Sequence, residues 1–149
     1  FKFKCCIGKN GISKKKIEGD KKTPKGYFEI ENLYYRKDKI SKPETELKCV
    51  EIKKNMGWCD DINNKKYYNK RIKINKNIKC EKIFRKDYKY DLLIPIKYNF
   101  NKPIIGKGSC IFIHLTKNFM PTAGCIGLKK ENFLILLKLI NKKTKIKIY

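Results

Sequence analysis

The chain carries one histidine, His114, at the end of the apolar run "SCIFIHL" (109–115), and Cys125 follows eleven residues later within "TAGCIGL". A free thiol has a pKa of about 8.5, and its thiolate is the nucleophile. A neighbouring imidazole can take that proton and hold the anion. Histidine is the side chain that titrates near neutrality without perturbation. Any cysteine activated here by a side-chain base must therefore meet His114. Of the seven cysteines, Cys125 has the setting for it, because Gly124 precedes it. Glycine lets the backbone turn tightly and brings bare N–H groups close to a substrate. Amides from about Ala123 to Cys125 would form an oxyanion hole, with the Thr122 hydroxyl beside them. That set of groups is suited to acyl transfer.

The flanking sequence indicates how the pair is held. "SCIFIHL" reads as a central strand bounded by Gly108 and Lys117. "YDLLIPIKYNF" (90–100) reads as a second buried strand, with Pro95 pushing it toward an edge or a bulge. Residues 1–8 read as a strand ending at Gly8. Asn10-Gly11 reads as a hairpin-like turn into a short basic strand. Tyr27 to Tyr35 form an aromatic-rich strand, and "NKRIKI" (69–74) and "TKIKIY" (144–149) alternate as strands. Residues 36–66, with Pro43 and Gly57, show little periodicity and read as a long irregular excursion of the kind that often carries function. Phe133, Leu136, Leu137 and Ile140 fall on one helical stripe, which predicts a helix over 130–142. Glu131 in its first turn and Lys142 and Lys143 in its last suit the helix dipole. The expected fold is mainly β: a single β-sandwich-like domain of mixed sheets over 1–149, with one C-terminal helix.

Composition narrows the classes. The chain has 149 residues, 41% of them hydrophobic and 12% aromatic, which suits one folded domain. No apolar run nears the roughly 18 residues needed to span a bilayer, and no signal peptide is visible. The formal net charge is +24, a field that attracts polyanions. Only three of the 38 basic residues are Arg, however: Arg36, Arg71 and Arg85. Arg is the better fork for bases and phosphates. Abundant Lys, Asn and Ile together fit the drift of an AT-rich genome, so no nucleic-acid partner is expected. A basic, non-enzymatic binder of nucleic acid or another anionic polymer is the rival class. The seven cysteines are an odd set without a CxxC pair, and one His cannot complete a usual Cys/His zinc site. No metal is expected, and most cysteines read as small buried hydrophobes. For Cys59 and Cys110, pairing with each other and lying near the site both stay open.

Two segments carry a family resemblance. "EGDKKTPKGYFEI" supplies Gly19, Asp20, Thr23, Pro24, Gly26 and Tyr27. Far downstream, "IFIH" and "TAGCIGL" supply His114, Thr122, Gly124 and Cys125. Together they resemble the L,D-transpeptidase catalytic domain, the YkuD-like family, over about Lys9 to Ile140. The resemblance implies a cysteine acyl-enzyme mechanism on peptidoglycan stem peptides, with Cys125 as nucleophile and His114 as general acid and base. It implies no metal or organic cofactor, and action in the periplasm or at the cell-wall face. Hydrolysis of the same acyl-enzyme would make an L,D-carboxypeptidase instead. The chain departs from the family pattern at Ala123, where His is common, and at Gly127, where Arg or Asn is common. It departs again at Leu115, where Ser or Gly is common, and the spacing from His114 to Cys125 is short. Which L-centre is cleaved stays open.

Further substrate-binding candidates lie outside the two motifs. Trp58, in "MGWCDD" (56–61), would wall a cleft, and Asp60 or Asp61 would hold an acceptor ammonium. Tyr98 would orient the base, with Asn99 beside it, and Ser109 would stand at the mouth of the His114 strand. Asp20, Thr23 and Gly26 read as turn chemistry that fixes a scaffold loop.

Overall fold

A computed structural model describes every residue from Phe1 to Tyr149. A six-stranded mixed sheet is built from β1 (Cys5–Cys6), β5 (Leu33–Tyr35), β6 (Cys49–Glu51), β10 (Leu92–Pro95), β11 (Phe112–Leu115) and β12 (Ile126–Leu128), in the order β1-β12-β11-β10-β5-β6. A three-stranded antiparallel sheet holds β7 (Met56–Cys59) between β8 (Arg71–Lys73) and β9 (Cys80–Lys82). Two short ribbons complete the strands. One pairs β2 (Ile12–Ser13) with β3 (Thr23–Pro24) in parallel; the other pairs β4 (Gly26–Glu29) with β13 (Lys145–Ile148) antiparallel. The single helix, α1, spans Lys130–Leu139.

Strand periodicity explains the layering. Successive side chains point to opposite faces. Leu33 and Tyr35, Leu92 and Ile94, and Ile113 and Leu115 form one face, packed with Phe133 and Leu137 of α1 and Ile148 of β13. Tyr34, Leu93 and Phe112 form the other, packed with Trp58, Met56, Ile83 and Tyr90 on the side of the small sheet. A sheet covered on both faces needs continuous apolar strands, and both β10 and β11 are buried at every residue. The mainly β sandwich with one C-terminal helix is therefore the observed fold.

Several boundaries differ from the sequence reading. The helix ends at Leu139 because Ile140 turns extended, so Lys138 and not Lys142 or Lys143 occupies its last turn. The Asn10-Gly11 turn closes through the Gly11 N–H to the Gly8 carbonyl. It makes no hairpin, because β2 pairs in parallel with β3 while β1 pairs with β12. The expected strand Tyr27–Tyr35 breaks into β4 and β5, which join different sheets. The expected irregular excursion 36–66 contains β6 and β7. Strand β7 escaped notice because all four residues are buried, Gly57 included, and no polar residue marks an alternation. Pro95 sits neither at an edge nor in a bulge. It ends β10 inside the sheet, opposite Phe112, where its carbonyl accepts the Glu31 N–H and no proline donor is called for.

Candidate active site

Strands β11 and β12 lie side by side in parallel, with His114 opposite Gly127 and Ile113 opposite Ile126. Parallel neighbours usually need a crossover of a dozen or more residues; here a short helix-free return, 116–125, suffices. Cys125, just before β12, thus lands near the line of His114. Both are buried, at 8% and 7% exposure, and both line one cavity of about 520 Å³. Thr122, Ala123, Ser109, Cys110 and Asp60 line it too.

Three short bonds define the state of the two reactive groups, and two more hold the turn beside them. The Cys125 thiol donates to the Cys110 carbonyl at 3.1 Å, and its sulfur accepts the Phe112 N–H at 3.3 Å. The His114 Nδ1 lies 2.9 Å from the Leu115 carbonyl oxygen. An oxygen can only accept, so Nδ1 carries the proton and Nε2 carries the lone pair. The Thr122 hydroxyl donates to the Cys125 carbonyl at 2.6 Å and accepts the Gly124 N–H at 3.1 Å. The Gly124 amide is thereby committed to the turn. The amides of Ala123 and Cys125 have no acceptor within the protein, so of the expected oxyanion donors two are free.

Burial sets the protonation of both groups. It pushes the Cys125 thiol up to about 12, with the Glu81 charge adding to the rise and the Phe112 N–H and the Lys16 ammonium opposing it. Burial also holds His114 below its ordinary value; the Leu115 bond opposes this, while Lys89 and Arg85 reinforce it. Both groups are therefore neutral at pH 7.

The upstream motif reaches the site by one hydrogen bond. Thr23, fully buried, accepts the Gly8 N–H at 2.9 Å and donates to the Gly124 carbonyl at 2.9 Å. Asp20 accepts from the Ile17 and Lys22 amides, both at 2.9 Å, and from Lys16 Nζ at 2.7 Å. The Lys16–Asp20 pair is almost wholly buried, its side chains 3% and 8% exposed. Gly124 itself has φ +138°, and a Cβ there would stand 2.8 Å from the Lys22 carbonyl oxygen and 3.6 Å from Lys16 Nζ. Only glycine fits this close approach. The space over Gly127 is also taken, since a Cβ would meet Cys6 Sγ at 2.5 Å. The arginine or asparagine that the resemblance leads one to expect at 127 has no room.

The remaining candidates divide. Ser109 lines the cavity and donates to Glu18 Oε1 at 2.7 Å. Asp60 lines it with its Oδ1 buried and without a hydrogen-bond partner. Trp58 does not wall the cavity: it is 3% exposed between the sheets, and its Nε1 donates to Asn69 Oδ1 at 3.0 Å. Tyr98 does not reach His114; its hydroxyl donates to the Lys107 carbonyl at 2.6 Å. The Asn99 side-chain amide spans the Ile104 and Gly108 carbonyls, fixing the turn before Ser109. Cys59 and Cys110 are both unpaired.

Two residues at the site went unread in the sequence. Glu81, on β9, lines the cavity and accepts the Tyr90 hydroxyl. The Tyr90 ring meets the His114 ring edge-on, with centroids 5.5 Å apart. The Arg85 guanidinium lies 5.1 Å from the Tyr90 ring centre. Glu81 and Tyr90 thus brace the imidazole from the small-sheet side. Neither belongs to a sequence motif, and nothing in "KCEKIF" separates Glu81 from a solvated acid.

A buried thiol and an imidazole with its Nδ1 proton held by a main-chain carbonyl thus line one cavity of the mixed-sheet sandwich. The chain belongs to the YkuD family of L,D-transpeptidase catalytic domains, whose model matches residues 1–148. Comparison with curated proteins and with solved structures returned no significant match. No helix is long and apolar enough to cross a membrane.

Proposed function

We propose that this protein is a peptidoglycan L,D-transpeptidase with Cys125 as nucleophile and His114 as general base. The observation that supports this best is the shared cavity, with the Leu115 carbonyl holding Nδ1 so that Nε2 is free to accept a proton. Nε2 removes the thiol proton as sulfur attacks the carbonyl that follows an L-centre of a donor stem. Charge developing on that oxygen is met by the free amides of Ala123 and Cys125. The protonated imidazole passes its proton to the departing amine, and a D-amino acid leaves. A side-chain amine of a second stem then attacks the thioester, and His114 removes its proton as the new amide forms. The Thr122 hydroxyl keeps the turn carrying these amides in shape.

The cavity offers charge for a zwitterionic substrate. Lys16, Lys79, Arg85 and Lys89 line it, with Glu18, Asp60 and Glu81. The bare Oδ1 of Asp60 is a seat for the acceptor ammonium, and Ser109 lines the same cavity. The proposed place of action is the periplasm or the wall face, where this substrate lies.

Intact-protein mass spectrometry after mixing with a carbapenem tests the nucleophile: one adduct is expected, lost in Cys125→Ala. An adduct that persists in Cys125→Ala would refute the assignment. Product masses from defined muropeptides then separate transfer from hydrolysis: a cross-linked dimer is expected, and a trimmed monomer alone would mean an L,D-carboxypeptidase. Asp60→Asn should raise KM for the acceptor and shift products toward hydrolysis, with donor acylation unchanged.

A further inference from the structure

In the small sheet, Cys59 of β7 stands directly opposite Cys80 of β9. The Cys59 N–H donates to the Lys70 carbonyl, and its carbonyl accepts the Asn69 N–H, so both backbone groups point away from β9. Cys59 and Cys80 are therefore a non-hydrogen-bonded pair, the closer kind, whose Cα atoms stand about 4.5 Å apart. Disulfides bridge Cα atoms about 4.4 to 6.8 Å apart.

The side chains share a face. Gly57 points the same way as Cys59, two residues on, and a Cβ at Gly57 would meet Cys80 Sγ at 2.8 Å. Trp58 and Glu81, the pair between, take the opposite face, toward the inner cluster and the cavity. The two sulfurs thus lie on the far side of the small sheet from Cys125. Cys59 is fully buried, while Cys80 is partly exposed and open to a reagent. The other cysteines are placed differently: Cys5 and Cys6 are neighbours in one strand, Cys6 packs over Gly127, and Cys110 and Cys125 line the cavity.

We propose that Cys59 and Cys80 are a disulfide site, closed by exchange with a small-molecule disulfide and tying β7 to β9. The Cys80 thiolate attacks one sulfur of the reagent and expels a thiol, leaving a mixed disulfide. Cys59, losing its proton to solvent, then attacks the Cys80 sulfur and expels the second thiol. The two protein thiols are oxidised by two electrons in all, and the reagent is reduced to two thiols. The bond fixes the register of the strands that carry Asp60 and Glu81 to the cavity wall, one residue beyond each cysteine.

The test uses the full chain treated with oxidised glutathione, then alkylated, digested without reduction and mapped by mass spectrometry. A linked peptide pair joining Cys59 to Cys80 is expected, with Cys125 recovered unlinked. Tm should rise by roughly 5 to 10 °C on oxidation, and Cys59→Ser and Cys80→Ser should each remove that rise. Recovery of both cysteines as alkylated or separately glutathionylated peptides would overturn the proposal, as would a bridge between any other pair. The mapping is done on the unaltered chain and reads no activity. It is therefore independent of the fate of the transpeptidase assignment.

Discussion

Cys125 rests as a thiol hydrogen-bonded to a carbonyl, and His114 rests as a neutral imidazole. A pre-formed thiolate–imidazolium pair would alkylate at a rate nearly flat from acid to neutral pH. Here burial pushes the thiol to about 12, so iodoacetamide labelling of Cys125 should climb through neutrality into the alkaline range. A plateau beginning near pH 5 would contradict the resting state. The acid limb of kcat/KM follows the other sign. Burial lowers the imidazole's value, so the base stays deprotonated to lower pH than an ordinary histidine, and the limb should fall below pH 6.5. His114→Gln should cost about 100- to 10,000-fold in turnover with the thermal transition kept. At this scale the sequence singled out a lone histidine and a Gly-Cys step because few residue types do this chemistry, and the fold brings the two to one cavity. Glu81 was not legible, because an acid becomes special only when folding buries it beside Tyr90 and Cys125.

Among the elements, the ribbon β2–β3 has the largest effect for its size. It brings Thr23 under Gly124, and with it the turn that presents the Ala123 and Cys125 amides. Thr23→Val removes a buried hydroxyl that makes two bonds and orphans the Gly8 N–H, at a cost of about 1–3 kcal/mol. Its kcat should fall further than the stability loss explains, which a comparison of kcat with Tm at several temperatures checks. The apolar run around β11 announced itself, and so did the stripe of α1. In the small sheet β8 did too, through the alternation of 69–74. Strands β7 and β9 did not: they are four and three residues long, and β7 is buried throughout, so neither length nor alternation marked them. Yet this sheet closes the cavity, and its position comes from pairings far apart in sequence that local pattern cannot express.

The whole molecule carries +24, and the charge is unevenly useful. Cations on the cavity wall face a substrate rich in carboxylates, so kcat/KM on stem peptides should drop as ionic strength rises, with kcat little changed. A kcat that falls in step with kcat/KM would place the effect in chemistry and not in encounter. Most of the remaining lysines are spread over the surface, and the scarcity of Arg among the cations argued against a nucleic-acid partner. One atom at the centre of the molecule has an implication for anyone who maps it by mutagenesis. The partner of the His114 Nδ1 is the main-chain oxygen of residue 115. Every amino acid supplies that oxygen, so a saturation scan would leave it invisible and report a dyad. Exposing the third participant takes a change in the polymer itself, such as an ester linkage between residues 115 and 116, whose carbonyl is a poorer acceptor.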